Sequence, residues 1–570
     1  MQVRHLAIKN FRGIEYLDWK PATPFTVLVG PGDVGKSTIL DALEIALSPR
    51  WLSLTDADFY RGDTSKTIEV LVTVGDLPNE ALREQRMGLH LRGWSQNGEL
   101  HDEPDEDDEP VVTVRASADS SLDPSWELIT NRSEPKTLSQ RDRSLFGVVR
   151  LGADVERHLT WSQGSALARL GSSKERTSPV LADAYRRARE LLGAGNLPWL
   201  DDSAGRVREA SVKLGAYAAG SFAAGLDTQR ASMSLGVLSL HDGGIPLRMA
   251  GLGSRRLVAL AVERLSIDDG AIVLIDEIEH GLEPHRIRHA LKVLRTAVAP
   301  PEGGEAKGRG GQVIMTTHSA TTIVELACPQ LSVVRNVGGT LALHQPAPGL
   351  QKYLRRIPEA FLSRKAVVCE GKTEVGLLRG LREGWASRHD NEPLEARGVA
   401  LVDGNGSEAV STATQMAELG YAVALLRDSD VPLTPEESKS LKKHNLTVFE
   451  WEGACSTEER VIEDASDDCL QKLLEIAFGH AGEESALDAV RGQLGIKEML
   501  PREFARWNFP GKSKRDLRQA LGKTAKSKGW FKQVAPGELF GEVLGAEIVT
   551  RPETSMAKTL AAVEAWAYGA

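Results

Sequence analysis

The stretch FTVLVGPGDVGKSTILDAL, residues 25–43, decides the fold of the first half of this chain. An apolar run is followed by the pattern G-x-x-x-x-G-K-S, from Gly30 to Ser37, and then by apolar residues at helical spacing. A strand, a loop and a helix in this order form a phosphate-binding loop, because backbone N–H groups of the loop can close around phosphates. We expect Lys36 to reach the β- and γ-phosphates and Ser37 to bind Mg²⁺. The residues expected to contact ATP here are Gly30, Gly32, Asp33, Gly35, Lys36, Ser37 and Thr38.

Two later apolar runs supply the partners that this loop needs. AIVLIDEIEHGLEPH, residues 271–285, turns acidic at Asp276 and Glu277. At a strand end, Asp276 can hold the magnesium shell, and Glu277 suits a general base or a residue that positions water. GQVIMTTHSA, residues 311–320, predicts another strand and places His318 where it can sense a γ-phosphate. Alone, such a histidine is more often a capping or packing residue.

Length and composition indicate a globular protein of several domains. A chain of 570 residues is expected to form roughly three or four domains. It has 41% hydrophobic residues, no apolar run of membrane-spanning length and no apolar signal core, so we expect a cytoplasmic location and no membrane partner. The four cysteines lie far apart without a C-x-x-C pair, which disfavours a zinc ribbon or disulfide framework and predicts buried, reduced thiols.

Three apolar runs that end in acids predict a parallel sheet in the second half. They are AVVCEGKTEVGLL (366–378), GVALVDGNGS (398–407) and ALLRDSD (424–430), and helical stretches separate them. Active groups of a parallel sheet collect at the carboxyl ends of its strands. Four acids at such ends are therefore expected at one edge: Glu370, Asp403, Asp428 and Asp430.

Asp428 and Asp430 allow two interpretations by themselves. Alternate residues of a strand share a face, so these carboxylates repel each other unless a cation lies beside them. The simpler interpretation is a solvated turn that closes a strand, which is the commoner origin of an isolated D-x-D pair. The two further acids expected at the same edge favour the metal site.

Charge is distributed unevenly along the chain. The net charge is −10, which on average repels nucleic acid, and seven acids crowd residues 102–109. Residues 502–532 instead contain ten Lys or Arg against two acids. We call residues 502–532 the basic segment. It is a candidate contact for a DNA phosphate backbone, with a solvated helical surface as the alternative.

The first half resembles the ABC-type ATPases of the SMC and RecF group. The features that occur in that family's order are IKNFRGI (8–14), the phosphate-binding loop, Asp276 with Glu277, EHGLEP (279–284) and His318. The resemblance implies that LTWSQGSAL (159–167) is the Q-loop, with Gln163 as a ligand of the metal or of water. It also implies that AGLGSRRLVAL (250–260) is the signature, although this stretch departs from LSGGQ. In that group the signature of one subunit completes the site of another, so a homodimer or higher homo-oligomer is implied.

The second half resembles a TOPRIM domain, with its strand-terminal glutamate and D-x-D pair. An ABC-type ATPase followed by TOPRIM is the arrangement of the OLD (overcoming lysogenization defect) family of endonucleases, which includes the nuclease subunit of the Gabija anti-phage system. The resemblance implies two-metal cleavage of DNA, with two Mg²⁺ (or Mn²⁺ or Ca²⁺) ions in this site and one ion bound with ATP. The implied ligands are Glu370, Glu374, Asp428, Asp430 and Glu458, with Glu459 as the alternative to Glu458.

The family also has an essential lysine, which can neutralise charge on the scissile phosphate. LGKTAKSKGWFKQV (521–534) offers Lys526 and Lys532. We prefer Lys532, because WFK follows the turn-forming Gly529 and resembles the start of a strand, and Lys526 is the alternative. Contact with the DNA backbone is an equally good interpretation for either lysine.

These features predict an α/β chain: an ABC/SMC-like P-loop ATPase with a helical dimerisation insert, followed by a TOPRIM domain with a Rossmann-like parallel sheet. The insert is expected to be helical because it is rich in Ala, Arg and Leu and its apolar residues recur at three- and four-residue spacing. The predicted domains are 1–174 (first part of the ATPase), 175–235 (insert), 236–350 (second part of the ATPase) and 360–570 (TOPRIM with helical and basic C-terminal elements).

The favoured function is an ATP-regulated, metal-dependent DNA endonuclease, and the family implies anti-phage defence and a superfamily 1 helicase as a further partner. The alternative is a RecF-like DNA-binding ATPase with a non-cleaving TOPRIM domain, which the intact set of acids disfavours. A topoisomerase is disfavoured because only Tyr421 and Tyr568 follow residue 360. A primase is disfavoured because the cysteines cannot form a zinc module.

Overall fold

A computed structural model of the chain describes residues 1–50, 53–83, 86–161, 165, 167, 183–184, 186–187, 190, 198–213, 220, 222, 238–268, 270–299 and 310–569. Gln163 lies outside these residues, and so does most of the predicted insert at 175–235. Within that insert, Pro198–Lys213 form a helix, in agreement with the helical spacing of the sequence.

Strands and helices alternate along most of the described chain. The strands are β1 (Gln2–Phe11), β2 (Ile14–Trp19), β3 (Phe25–Val29), β4 (Ile68–Gly75), β5 (Arg92–Trp94), β6 (Leu100–His101), β7 (Glu109–Ala118), β8 (Ser125–Leu128), β9 (Lys136–Thr137), β10 (Val148–Leu151), β11 (His241–Asp242), β12 (Ile245–Pro246), β13 (Ile272–Ile275), β14 (Gln312–Thr316), β15 (Leu331–Val337), β16 (Thr340–His344), β17 (Lys365–Cys369), β18 (Val399–Asp403), β19 (Ala422–Arg427) and β20 (Thr447–Glu450). The helices are α1 (Lys36–Leu47), α2 (Gln140–Arg143), α3 (Pro198–Lys213), α4 (Leu252–Asp268), α5 (Pro284–Val298), α6 (Ala320–Val324), α7 (Gln351–Arg356), α8 (Lys372–Arg388), α9 (Ala409–Glu418), α10 (Pro435–Lys443), α11 (Thr457–Asp464), α12 (Asp467–Ala481), α13 (Glu483–Leu494), α14 (Lys514–Lys528), α15 (Val534–Thr550) and α16 (Ser555–Tyr568).

The chain divides into two compact units, and the first comprises residues 1–26 and 37–317. Its antiparallel part pairs β1 with β2 and β4, and β4 with β7. Its parallel part places β13 between β10 and β14. β13 and β14 are buried along their whole length, as expected for strands covered on both faces.

The second unit comprises residues 27–36 and 318–570. In it β3 pairs with β15 in parallel, and β15 pairs with β16 antiparallel. A separate parallel sheet has the order β18, β17, β19, β20. The strands predicted for the second half are therefore neighbours in one parallel sheet, and the predicted α/β class is confirmed.

The C-terminal helices share one hydrophobic core with this sheet. The core contains Leu426 of β19, Leu377 of α8, Leu470 of α12 and Phe540 of α15, all fully buried. Helices α11 to α16 are thus an integral part of the second unit.

The prediction that a strand begins near Lys532 is wrong. α14 ends at Lys528, Gly529 adopts a left-handed φ of 63°, and α15 begins at Val534. Gly529 does form the predicted turn. The residues after it enter a helix, because Phe531 stacks on Phe540 of α15 with ring centroids 4.4 Å apart, and so packs in a helical core rather than a sheet.

Helices α8 and α15 pack backbone against backbone. A Cβ atom added at Gly376 of α8 would lie 2.6 Å from Cα of Gly537 of α15, and one added at Gly380 would lie 2.7 Å from Cα of Gly541. Both distances are far below van der Waals contact, so this approach requires the absence of side chains.

Two expectations from the composition, about membrane spans and about cysteines, can be compared with the structure. Among the helices of the described residues, none is both long enough and apolar enough to cross a membrane. The four cysteines are buried and unpaired, as predicted.

Candidate functional sites

Five acids predicted as metal ligands gather at the carboxyl edge of the four-stranded sheet, and we call them the acid cluster. They are Glu370, Glu374, Asp428, Asp430 and Glu458. β17 and β19 are adjacent, with Cys369 opposite Leu426, so the acids that follow these strands leave the sheet side by side. The two remaining glutamates lie in the first turns of α8 and α11.

Hydrogen bonds hold the three glutamates of the acid cluster. Glu370 Oε2 accepts from the N–H of Asp428 at 3.0 Å. Glu374 Oε2 accepts from the N–H of Gly371 at 2.7 Å, one residue before α8 begins. Glu458 Oε1 accepts from the Thr373 hydroxyl at 3.2 Å. The carboxylates are thus fixed by the backbone and by small polar side chains around them.

Burial and mutual repulsion disfavour the charged form of these acids. Burial, with the charges of Asp428 and Glu458, raises the pKa of Glu374 to about 8. Burial and the charge of Glu370 raise the pKa of Asp428 to about 7. The pKa of Glu370 itself is raised, chiefly by burial. These acids cannot all be charged at neutral pH unless a cation joins them, which suits a site for divalent metal.

Two residues that the sequence did not single out orient Asp428. Its Oδ1 accepts from the N–H of Thr457 at 2.8 Å and from the Thr457 hydroxyl at 2.9 Å. That hydroxyl in turn accepts from the indole N–H of Trp451 at 2.7 Å. Both Thr457 and Trp451 are buried. A hydroxyl residue directly before an expected ligand was the only sequence signal that could have pointed to Thr457.

Lys526 supplies a positive charge at the acid cluster. Its ammonium group donates a hydrogen bond to Asp430. Desolvation lowers the pKa of Lys526, but the hydrogen bond and charge of Asp430 outweigh it, so the pKa is raised and the lysine stays charged. Gly522, one helical turn earlier in α14, packs on the backbone of Glu459, which directs this face of α14 toward α11.

This contact favours Lys526 over Lys532 as the lysine of the acid cluster. Lys532 is exposed in the turn between α14 and α15, whereas Lys526 contacts an expected ligand. The strand assigned to Lys532 is absent at this position, because the chain enters α15.

The structure also distinguishes Glu458 from Glu459, the alternative ligand. Glu458 is 3% exposed and faces the acid cluster. Glu459 instead accepts from the N–H of Ser456 at 3.0 Å, and so caps the start of α11.

Asp403, at the end of β18, accepts from Arg356 at 3.2 Å and from the N–H of Asn405 at 3.0 Å.

The donor set of the acid cluster fits magnesium or manganese. Carboxylate oxygens are the ligands that these hard cations prefer. The cluster offers five carboxylates with one lysine at its edge, so it carries an excess of negative charge that divalent ions can balance. Threonine and backbone donors orient four of the carboxylates, as hydrogen-bonded partners commonly do for metal ligands.

In the first unit, Asp276 is the centre of a hydrogen-bond network at the end of β13. Its Oδ1 accepts from the hydroxyls of Ser37 at 2.9 Å and Thr316 at 2.7 Å. Its Oδ2 accepts from Arg150 of β10 at 2.9 Å. The predicted partnership of Ser37 and Asp276 is therefore present, whereas Thr316 and Arg150 are additions that the motifs did not reveal.

The backbone of the phosphate-binding loop has the conformation that its glycines predict. Gly30 has a φ of 147°, and a Cβ atom there would lie 2.7 Å from the carbonyl oxygen of Val334. Only glycine satisfies both conditions. Lys36 is buried at the start of α1 and donates to the carbonyl oxygens of Gly30 at 3.0 Å and Pro31 at 2.7 Å.

The residues expected to act on the γ-phosphate are exposed. Glu277 follows Asp276 directly, and its side chain is 53% exposed. His318 is exposed two residues after the end of β14. The signature-like segment opens α4, where a Cβ atom on Gly253 would lie 2.8 Å from the carbonyl oxygen of Gly281, so it packs tightly on the EHGLEP segment.

Ion pairs neutralise much of the basic segment. The cations with a carboxylate within 4.0 Å are Arg502, Arg506, Lys514, Arg515, Arg518 and Lys526. Among the described residues, no such carboxylate is found for Lys512, Lys523, Lys528 or Lys532. These four lysines are the remaining candidates for phosphate contacts.

The tyrosines considered for a topoisomerase are structural. Tyr421 is 4% exposed, donates to the carbonyl oxygen of Phe361 at 2.8 Å, and lies 3.3 Å beneath the guanidinium of Arg335. Burial raises its pKa to about 12 despite that guanidinium. Tyr568 stacks on His389 with ring centroids 3.8 Å apart.

Family models match both halves of the chain. Residues 1–87 match an AAA ATPase domain, and residues 195–325 match the AAA domain of AbiEii-type toxins of type IV toxin–antitoxin systems. Residues 361–430, which include Glu370, Glu374, Asp428 and Asp430, match the TOPRIM domain of overcoming lysogenization defect-like proteins. The chain therefore matches AAA ATPase domains in its first half and an OLD-like TOPRIM domain in its second half.

One curated relative and several solved structures resemble parts of this chain. The OLD nuclease of Thermus scotoductus (strain ATCC 700910 / SA-01) is 40% identical over 74 residues, which are 12% of this chain and 14% of that protein. The chain thus matches a small part of the length of that relative. The SMC head domain from Thermotoga maritima is 14% identical, with a TM-score of 0.28, over 61% of this chain and 100% of that one. The recombination mediator RecF with ATP is 12% identical, with a TM-score of 0.31, over 60% of this chain and 97% of that one.

Proposed function

We propose that this protein belongs to the OLD family and is a divalent-metal-dependent DNA endonuclease whose cleavage is regulated by ATP. The observation that carries the proposal is the acid cluster, in which five carboxylates, three of them with a raised pKa, lie together with one charged lysine. Two Mg²⁺ or Mn²⁺ ions held by such a cluster would activate water and stabilise the leaving oxygen of a phosphodiester.

The residues of the chain have separate parts in this proposal. Glu370, Glu374, Asp428, Asp430 and Glu458 would hold the ions. Thr457 would keep Asp428 oriented toward them. Lys526, charged and already bonded to Asp430, would neutralise charge that develops on the scissile phosphate. The unpaired lysines of the basic segment would bind the DNA backbone.

ATP would bind the phosphate-binding loop. Lys36 would bind the phosphates, and Ser37 and Asp276, which already share a hydrogen bond, would hold one Mg²⁺. Glu277 would position water, with His318 at the γ-phosphate. Assembly into a homodimer or higher homo-oligomer, a role in anti-phage defence and a helicase partner belong to the same proposal and are suggested by the family.

Incubation of supercoiled plasmid with the full chain and Mg²⁺ or Mn²⁺ tests this function. We expect nicked or linear DNA, and loss of this product in Asp428→Asn. Asp403→Asn is the matched control, because Asp403 ends another strand of the same sheet, β18, but pairs with Arg356. Unchanged plasmid that is nevertheless bound would indicate a DNA-binding ATPase with a non-cleaving TOPRIM domain. A ladder of topoisomers would indicate a topoisomerase.

A further inference from the structure

Glu277 has a strained backbone at the end of β13. Its φ is 47°, in the left-handed region that residues with a side chain adopt at a cost of order 1 kcal/mol or more. Such a conformation persists where surrounding contacts impose it. The peptide groups on both sides of Glu277 are held: its N–H donates to the Thr316 hydroxyl at 2.9 Å, and its carbonyl oxygen accepts from Arg256 at 3.0 Å.

Arg256 binds three backbone carbonyl oxygens with its two terminal nitrogens. Nη2 donates to the carbonyl oxygens of Asp276 at 2.7 Å and Glu277 at 3.0 Å. Nη1 donates to the carbonyl oxygen of Gly152 at 2.6 Å. One guanidinium therefore joins the segment after β10 to the peptide units of two adjacent acids.

The setting of Arg256 is costly for a cation. Its side chain is completely buried, and its hydrogen bonds go to neutral carbonyl oxygens. Desolvation lowers the pKa of Arg256 to about 10, against the opposing charges of Asp276, Glu279 and Glu277. Burial of a charge without a bonded counter-ion is unfavourable, so simple packing does not account for an arginine here.

Arg256 also connects Glu277 with the signature-like segment. It lies in α4, three residues after Gly253, and that glycine packs on the carbonyl oxygen of Gly281 in the EHGLEP segment. A displacement of α4 would therefore be transmitted to the carbonyl oxygen of Glu277 through the Arg256 side chain.

We propose that Arg256 is a positioning residue for ATP hydrolysis: it fixes the left-handed peptide of Glu277 and so aims that carboxylate at the attacking water. This inference rests on the part of the proposed function that gives Glu277 its role in ATP turnover. Arg256 has no contact with nucleotide in this scheme and acts only through Glu277.

Steady-state ATPase assays of the full chain with Arg256→Lys and Arg256→Gln test this. Lysine keeps the positive charge, but it lacks the planar, forked guanidinium that donates hydrogen bonds to the three carbonyl oxygens. We expect kcat to fall about tenfold or more, because misplacement of a reacting group by about 1 Å is that costly. Affinity for a fluorescent ATP analogue should stay within about threefold, which also shows that the variants are folded. Arg264→Gln, on the same helix but paired with Asp268 at the surface, is the control and should keep the wild-type kcat.

A double-mutant cycle with Glu277→Gln separates positioning from general damage. If Arg256 acts through Glu277, Arg256→Lys should not lower kcat further when Glu277→Gln is present. Equal losses in both backgrounds, an unchanged kcat in Arg256→Lys, or a loss explained by weaker nucleotide binding would each overturn the inference. Wild-type turnover in Glu277→Gln alone would instead refute the proposed role of Glu277.

Discussion

The indole N–H of Trp451 donates to the hydroxyl of Thr457, 2.7 Å away, and this hydroxyl donates to Asp428 at 2.9 Å. Because the tryptophan occupies one lone pair of the hydroxyl, the hydroxyl proton is directed at the carboxylate. Neither residue is an expected metal ligand, yet together they set the orientation of one.

Replacement of this hydroxyl should weaken metal binding. Thr457→Val has nearly the same shape but cannot donate to Asp428, so we expect metal affinity about tenfold lower, which isothermal titration with Mn²⁺ would measure. Thr457→Ser keeps the hydroxyl and should restore most of the affinity. Equal affinities for the valine and serine variants would exclude this orienting role.

The two candidate lysines should differ sharply in DNA cleavage. Lys526→Ala removes the charge beside Asp430, and we expect the single-turnover cleavage rate to fall by about 10²-fold or more. Lys532→Ala, in an exposed turn, should change mainly DNA binding and its dependence on salt. A larger rate loss in Lys532→Ala than in Lys526→Ala would restore the preference that the sequence suggested.

The acid cluster should make metal-free stability depend on pH. The folded-state pKa values of Glu374 and Asp428, about 8 and about 7, lie above the ordinary values near 4, so the folded state binds more protons than the unfolded state between these limits. The free energy of unfolding should therefore fall as pH rises from about 4 to about 8. Thermal melts in EDTA would show this, and Glu374→Gln should flatten the dependence.

Added Mn²⁺ should counteract that loss. Metal binding requires deprotonated carboxylates, so the metal-induced rise in Tm should grow with pH over the same interval. A rise in Tm that is independent of pH would argue that the ions bind elsewhere.

The nucleotide and metal sites should respond separately to substitution. Lys36→Ala removes a buried contact of the phosphate-binding loop and should abolish ATP turnover while it leaves Mn²⁺ binding at the acid cluster intact. Asp428→Ala should do the reverse. Loss of Mn²⁺ binding in Lys36→Ala, or a large ATPase defect in Asp428→Ala, would show that the two sites depend on each other.

Most of the site residues were predicted from motifs with a fixed spacing, because the geometry of such motifs depends on residues that are close in sequence. The G-x-x-x-x-G-K-S loop and the strands that end in Glu370 and Asp428 are determined by residues adjacent in sequence. Lys526 reaches Asp430 from a helix almost a hundred residues later, through a contact that depends on Gly522 packing against Glu459. Arg256 and Trp451 act through backbone or hydroxyl groups, which no side-chain pattern reveals. The strand expected near Lys532 is absent because Phe531 packs against Phe540 of α15, a contact that the sequence WFK alone does not reveal.

The paired glycines of α8 and α15 restrict how this protein can be shortened. α8 begins beside Glu370 and carries Glu374, and its Gly376 and Gly380 have no side chains to fill the groove that α15 occupies. A fragment that stops before Val534 would expose bare helix backbone directly below two of the proposed ligands. Attempts to isolate a minimal nuclease from the second half should therefore retain α15 together with α16, which shares the same core.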